Sequence, residues 1–211
     1  MRNIFTTSQR AKASNPGNVK LKPTVWLFHD LRKISIQSFL LLFSIVLFVV
    51  LRQDWMIMLI LYLLFRNGSY WLRMKDHFQL GDSNGGIVVS VNPTLVAVTT
   101  DLRKGYGEYP VVKIIEFPSL KDVIPGEKIA TIALYTESEE EYLPHWIDFH
   151  PIPLVFANDD EELHINTVKS YTVDYWENLE RRLQDIERPF YPGIYIVDEE
   201  ISDWGMEESA Y

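Results

Sequence analysis

The residues whose types could do chemistry lie mainly in one short segment, His145-Trp146-Ile147-Asp148-Phe149-His150. Two imidazoles and a carboxylate could bind zinc or iron. In an extended segment Asp148 and His150 point to one face and His145 to the other, so the three converge only across a bend. The segment lacks a His-Glu-x-x-His pattern, and its bulky aromatic neighbours suit a core. We interpret the histidines as structural and keep a metal-dependent hydrolase as an alternative, with His145, Asp148 and His150 as its candidate ligands.

Other catalytic patterns are missing from the sequence. The chain has no cysteine, which excludes thiolate catalysis and Cys-ligated zinc, and no Gly-x-Ser-x-Gly elbow. The glycine-rich stretch 81–86 lacks the Gly-Lys-Ser/Thr ending of a phosphate-binding loop and precedes no helical pattern, so we interpret it as a turn. The sequence therefore predicts a protein that is not an enzyme and has no cofactor.

Acidic residues form contiguous runs instead of the spaced pattern of a calcium loop. Such runs are typical of a solvated surface that attracts a basic protein. We expect two of them to bind a basic protein partner: Glu139, Glu140 and Glu141 in the first, and Asp159, Asp160, Glu161 and Glu162 in the second.

The charge is divided unevenly along the 211 residues, whose formal net charge is −9. Residues 1–75 contain 11 Lys and Arg against two acidic residues, Asp30 and Asp54, so residues 76–211 carry the whole negative excess. An acidic chain without a clustered basic stripe is not a nucleic-acid binder. We expect the acidic part to stand off an anionic membrane surface that the basic part contacts.

Two apolar runs follow the basic segment, Ile34–Leu51 and Trp55–Phe65, separated by Arg52-Gln53-Asp54. The first run is close to the ~20 residues that a spanning helix needs, and the second reaches that length only by including Arg66. We predict a two-helix transmembrane hairpin over residues 34–72. A hairpin dipping into one leaflet and a buried helical pair in a soluble protein are the alternatives.

Basic residues flank the hairpin on both sides, which by the positive-inside rule predicts an inner-membrane protein with both termini in the cytoplasm. Residues 1–33 are expected to form a basic, largely flexible arm with a possible interfacial turn near its end. Five aromatic residues lie where an interfacial belt is expected: Trp26, Phe28, Trp55, Tyr70 and Trp71.

Residues 76–211 are predicted to form a separate acidic β domain, long enough to bury its own core. Five β-branched or apolar runs predict strands in a small antiparallel barrel or bent sheet: 87–91, 95–100, 111–117, 129–135 and 152–156. An apolar stripe at helical spacing predicts one long helix over residues 167–187, packed on the sheet, and residues 195–197 could add a late strand. The predicted fold class is α+β.

Several segments of the β domain resemble a bacterial domain-of-unknown-function family: 89–95, 99–102, 109–113, 145–149 and 151–153. The resemblance implies no activity, cofactor or catalytic residue. In layout the chain is similar to small membrane-anchored proteins that place a five-stranded barrel behind a helical hairpin. The sequence thus favours a non-enzymatic, membrane-anchored protein-interaction module. An immunity-type inhibitor that masks a basic or membrane-acting toxin is the alternative among binding proteins.

Overall fold

The computed structural model describes residues 13–138 and 143–197. Over these residues the chain forms five α-helices and six strands, which confirms a mixed helix and sheet fold. The helices are α1 Pro23–His29, α2 Leu31–Leu51, α3 Trp55–Leu80, α4 Glu161–Ser170 and α5 Val173–Gln184. The strands are β1 Asp82–Val91, β2 Thr94–Asp101, β3 Pro110–Glu116, β4 Lys128–Thr136, β5 Asp148–Pro153 and β6 Gly193–Ile196.

The strands form one antiparallel sheet in the order β5-β4-β1-β2-β3-β6. The sheet is curled into a half-barrel, and alternate residues along its strands are buried on opposite faces. Its curvature brings β3 near β5, although three strands separate them in the sheet. The Lys113 ammonium donates to the Asp148 carboxylate and to the Phe149 carbonyl oxygen, both at 2.5 Å, across this gap.

Two hydrophobic cores lie on opposite faces of the sheet. On the inner face, Val88, Val96 and Val98 pack with residues of α1 and of the second half of α3. On the outer face, one stripe of α5 and an isoleucine two residues beyond its end cover the sheet: Trp176, Leu179, Leu183 and Ile186. The half-barrel is therefore enclosed by helices on both sides.

Two local predictions differ from the structure because tertiary contacts decide them. From Asp82 onward, the predicted turn at 81–86 forms the first half of β1, and Gly85 permits close packing: a Cβ there would lie 2.6 Å from a ring carbon of Trp176. The fifth strand runs over Asp148–Pro153 instead of 152–156. Its two prolines are tolerated because β5 is an edge strand.

The long helix predicted over 167–187 is divided into α4 and α5. Tyr171 is extended, and the Thr172 hydroxyl accepts a hydrogen bond from the Tyr175 amide, which caps α5. The apolar stripe continues across this break, so periodicity alone did not reveal it. β6 pairs with β3 over residues 193–196, close to the late strand predicted at 195–197.

The N-terminal segment and the second half of α3 belong to the same core as the sheet. Residues 15–19 run beside residues 78–83, with the Gly17 and Val19 amides donating to the Gly81 and Phe78 carbonyl oxygens. Val19 is buried with Tyr70 and Met74 in the inner core. The described part of the predicted arm, residues 13–33, therefore contacts the sheet and α3, and residue 76, where the β domain was predicted to begin, lies within α3.

Candidate functional site: the helical hairpin and its junction

The helices α2 and α3 are connected by Arg52-Gln53-Asp54 and pack against each other, and we call this helical pair the hairpin. Within the described residues one helix, Leu31–Leu51, is long and apolar enough by length and composition to cross a membrane. Most of its surface is not covered by the rest of the protein. The first half of α3 exposes apolar side chains in the same way. The hairpin therefore projects from the half-barrel as an uncovered apolar surface.

The hairpin buries two polar groups beside the apolar Met56 and exposes apolar side chains, whereas a soluble helical pair exposes polar ones. Ser44 is only 6% exposed at the contact between the helices, and its hydroxyl donates to the Leu40 carbonyl oxygen at 2.8 Å. The Gln37 Oε1 atom is also buried, without a hydrogen-bond donor in the described part of the chain. The outward positions are apolar: Phe39, Leu42, Phe43, Val46, Val49, Val50, Ile57, Met58, Leu61, Leu64 and Phe65. Polar groups inside and apolar groups outside suit a lipid surrounding.

A hydrogen-bond chain joins α1 to the base of the hairpin. The Trp26 indole N–H donates to the Tyr70 hydroxyl, and this hydroxyl donates to the Asp30 carboxylate, each at 2.6 Å. The Lys33 ammonium lies 5.0 Å from the centre of the Tyr70 ring. α1, the start of α2 and the middle of α3 therefore meet at Tyr70, which we call the junction.

The five aromatic residues predicted at the membrane interface divide between two environments. Trp26 and Tyr70 are buried in the junction, and Trp71 is partly buried against the inner core. Phe28 and Trp55 are exposed, by 78% and 63%, at the two ends of the hairpin. Sequence spacing places all five near the ends of the helices, but only packing distinguishes the two that are uncovered.

Two of the candidate metal residues lie near each other, since His150 Nε2 is 3.9 Å from an Asp148 carboxylate oxygen, whereas His145 has separate partners. The His145 ring packs against the Tyr109 ring at a tilt of 40°, and its Nδ1–H donates to the Trp146 carbonyl oxygen at 2.9 Å. Asp148 binds Lys113, and His150 Nε2 lies 3.0 Å from the Thr136 hydroxyl. Burial and the Lys113 charge lower the pKa of the His150 imidazole. Across residues 13–138 and 143–197, no three His, Cys, Asp or Glu residues are grouped to hold a metal.

The second acidic run lies at the start of α4, where its residues have structural contacts. The Lys22 ammonium donates to Asp159 and holds the pKa of that carboxyl below its usual range. The Asp160 carboxylate accepts from the Leu163 amide and caps the helix. Glu161 and Glu162 are exposed in the first turn, where negative charge favours the helix dipole. The first run, Glu139, Glu140 and Glu141, lies outside the described residues.

Comparisons with known proteins match this half-barrel. Residues 72–187 match the family model described as "Protein of unknown function (DUF3239)". The chain belongs to the DUF3239 family. The match begins in the buried half of α3 and ends just after α5, so it includes β1 to β5 and most of the inner and outer cores.

A solved structure is similar to part of the chain, the "crystal structure of a putative membrane protein from Corynebacterium diphtheriae". The two share 14% identity with a TM-score of 0.44, over 55% of this chain and 99% of that chain. No curated protein matches the chain. The DUF3239 match agrees with the resemblance found in the sequence, and it brings no activity with it.

The DUF3239 region also contains a buried polar cluster that sequence reasoning missed. The Asp82 carboxylate accepts from the Asn15 amide at 2.9 Å and from the Tyr135 hydroxyl at 2.8 Å. Burial and the nearby Asp82 charge raise the pKa of the Tyr135 hydroxyl. Burial raises the pKa of the Tyr171 hydroxyl, which lies 2.7 Å from the Ser83 hydroxyl, to about 12. These phenols therefore stay protonated at neutral pH, where they serve as hydrogen-bonding groups and not as bases.

One cavity of the DUF3239 region, about 440 Å³ in volume, lies between α4, β4 and the loop before β4. Apolar residues such as Leu120, Leu154 and Val168 line it, with Lys121, Lys128 and His164 among its polar residues. Opposite charges share its lining, since Asp122, Glu127 and Glu161 are also present. This mixture does not select a ligand of one charge.

Proposed function

We propose that this protein is a membrane-anchored, non-enzymatic protein-interaction module of the DUF3239 family. The observation that carries the proposal is the hairpin with polar groups inside and apolar groups outside, continued by α3 into the inner core. Because α3 runs unbroken from the hairpin into the inner core, the half-barrel is held at the membrane without a flexible linker. The anchor would fix the distance and the orientation at which a partner meets the domain.

The charges of the hairpin favour a crossing arrangement over entry into a single leaflet. In a single leaflet Arg52 and Asp54 would lie near the bilayer centre, where each charge costs about 2.5–3.5 kcal/mol on insertion scales. In a crossing hairpin these residues reach the far headgroups, and the side chain of Arg66 extends to the near ones. The crossing hairpin is short and needs a locally thinner bilayer, but thinning costs only fractions of a kcal/mol per Å.

The distribution of basic residues supports a cytoplasmic position for the half-barrel in the inner membrane. Arg32 and Lys33 lie at the start of α2, and Arg73 and Lys75 lie on the antiparallel α3 near the same end of the hairpin. The turn carries Arg52 beside Asp54, so its charges cancel. By the positive-inside rule the flanks stay in the cytoplasm and the turn faces the other side.

A basic protein is the partner that this domain fits best. The described part of the DUF3239 region is acidic on its surface, and Glu161 and Glu162 are exposed at the start of α4. Complementary charge would speed the encounter with a basic partner and would be weakened by salt. An immunity-type inhibitor is a special case in which the basic partner is a toxin.

The anchor is tested by lysine substitution on the outward face of the hairpin. Leu64→Lys places a charge where lipid is expected, and we expect it to reduce the fraction of protein that floats with membranes. Leu80→Lys is the matched control, because Leu80 is similarly exposed but lies at the other end of α3, beside the sheet. Unchanged flotation of Leu64→Lys would argue for a soluble protein whose hairpin packs against another protein.

The interaction is tested by a photo-crosslinking amino acid at Glu161 or Glu162 in cells. We expect a specific crosslinked protein, in amounts that fall when salt is raised in isolated membranes. The control positions are Asp174 and Glu177, exposed acidic residues on α5. A toxin in the crosslinked product would establish the inhibitor function. If all four positions gave the same crosslinked proteins, the crosslinks would reflect random collisions, which would contradict a specific binding site.

A further inference from the structure

The free length of the hairpin limits how far the half-barrel can lie from a membrane. Ile34 and Tyr70 are buried in the inner core, so the hairpin emerges from the protein just beyond them. At roughly 1.5 Å per residue, the emerging parts are about 25 Å for residues 35–51 and about 22 Å for residues 55–69. The hydrocarbon core of a bilayer is about 30 Å thick. A crossing hairpin therefore leaves no length for a gap between the half-barrel and the lipid headgroups.

α1 is fixed at this emergence point and presents apolar side chains there. Its Trp26 is 4% exposed and held by the junction hydrogen bonds, while Phe28 and Leu31 are 78% and 50% exposed. His29 stacks on Phe156 with ring centres 3.8 Å apart, which holds the end of α1 on the half-barrel. Because Trp26 is locked inward, the outward direction of Phe28 is set by the fold.

Basic side chains accompany these apolar residues. Arg32 and Lys33 follow Leu31 in the first turn of α2, and Arg66 precedes Tyr70 by one turn of α3. All three are exposed. Apolar side chains beside Lys and Arg are the composition that binds the headgroup layer of an anionic membrane.

We infer that the half-barrel is seated in the headgroup layer, with Phe28 and Leu31 inserted among the lipids and Arg32 and Arg66 bound to anionic phospholipid headgroups. This inference rests on the proposed membrane anchor and replaces the expectation that the acidic domain stands off the bilayer. Repulsion from the acidic surface is overcome because the anchor is rigid and short. The exposed apolar side chains of Phe28 and Leu31 therefore contact the membrane and not another protein.

The absence of cysteine from the chain permits a direct test with single-cysteine variants. Phe28→Cys, Phe43→Cys and Tyr106→Cys would each carry a fluorophore, in the full chain reconstituted into vesicles of phosphatidylcholine and phosphatidylglycerol. Phe43 is on the outward face of α2, and Tyr106 is 90% exposed in the loop between β2 and β3. That loop lies at the end of the sheet opposite to Ser119, which contacts His29 of α1.

Quenching by lipids spin-labelled in the headgroup should be several-fold stronger at Phe28 than at Tyr106. Equal quenching at the two positions would overturn the inference. Quenching by lipids spin-labelled in the acyl chain should be strong at Phe43. Weak quenching at Phe43 would overturn the proposed anchor itself. Strong quenching at Phe43 together with weak quenching at Phe28 would overturn only the seating of the half-barrel.

The choice of lipid is tested at Phe28 with spin-labelled phosphatidylglycerol and phosphatidylcholine. Phosphatidylglycerol should quench more strongly, and Arg32→Gln combined with Arg66→Gln should remove the difference. If the two lipids quenched equally in the protein that keeps Arg32 and Arg66, the anionic-lipid part of the inference would be overturned. Tyr106 serves as the reference position throughout.

Discussion

Single polar side chains in the inner core connect helices to the sheet. His77, near the end of α3, is 1% exposed, and its Nε2–H donates to the Ile132 carbonyl oxygen at 2.8 Å. Burial lowers the pKa of this imidazole to about 4. The neutral form is therefore part of the folded structure, because a charged imidazole would lie in an apolar surrounding.

His77 should make the protein less stable in acid. The unfolded chain binds this proton near pH 6.5 and the folded chain only near pH 4, so the unfolded state holds more protons between these values. The free energy of unfolding should fall by about 3 kcal/mol as the pH drops through this window. Above the window, the stabilisation by the neutral His77 imidazole is fully present. His77→Gln keeps a donor for Ile132 and should flatten the profile measured by denaturant unfolding in detergent. An unchanged profile would contradict this role.

Tyr70 should contribute to stability through its hydroxyl alone. Tyr70→Phe leaves the buried Trp26 N–H without its acceptor and removes a donor from Asp30. We expect a loss of about 1–3 kcal/mol in the free energy of unfolding, measured in detergent micelles. Tyr62→Phe is the matched control on the exposed face of the same helix and should change stability by less than about 0.5 kcal/mol. Equal effects of the two substitutions would mean that the junction bonds are not stabilising.

At the scale of elements, α3 carries two surfaces in sequence. Its first half exposes apolar residues such as Met58, Leu61 and Phe65, and its second half buries Tyr70, Met74 and Phe78 in the inner core. A soluble helix of this length would expose polar residues along one face throughout. The change along the helix marks the level at which the protein emerges into its proposed lipid surrounding.

A fragment of residues 76–211 should not fold cooperatively, contrary to the sequence-based expectation of an independent domain. It lacks six residues of the inner core: Val19, Leu21, Trp26, Ile34, Tyr70 and Met74. Burial of each such side chain contributes about 1.5–3 kcal/mol, and the total rivals the 5–15 kcal/mol stability of a whole domain. A chain of residues 13–211 in which a Gly-Ser linker replaces residues 36–68 is the control and should unfold cooperatively in urea. Cooperative unfolding of both at the same midpoint would contradict this account.

For the whole molecule, the charge distribution predicts which parts share a side of the membrane. A membrane-impermeant maleimide should label Gln53→Cys from outside intact cells. Ser14→Cys and Glu177→Cys, on the N-terminal segment and on α5, should react only after permeabilisation, because the flanking basic residues keep both in the cytoplasm. If Gln53→Cys reacted only in detergent, the hairpin would lie in one leaflet. If Glu177→Cys reacted from outside, the orientation would be inverted.

The sequence by itself determined the features that depend on local patterns. β-branched and apolar runs predicted β2, β3 and β4 to within one residue at each end and the second half of β1, and the uncharged run 34–51 predicted α2. The resemblance seen around Val89–Leu95 led to the DUF3239 family. These features follow from side-chain periodicity and composition, which act over a few residues.

Only the tertiary structure decided the features that depend on distant contacts. It placed the N-terminal segment beside β1, because the backbone of residues 15–19 hydrogen-bonds to residues 78–83. It made the glycines of 81–86 part of a strand, since α5 packs closely against Gly85. It buried Trp26 and Tyr70 but left Phe28 uncovered. Sequence patterns cannot distinguish these cases, because an aromatic residue has the same local signature whether another element covers it or not.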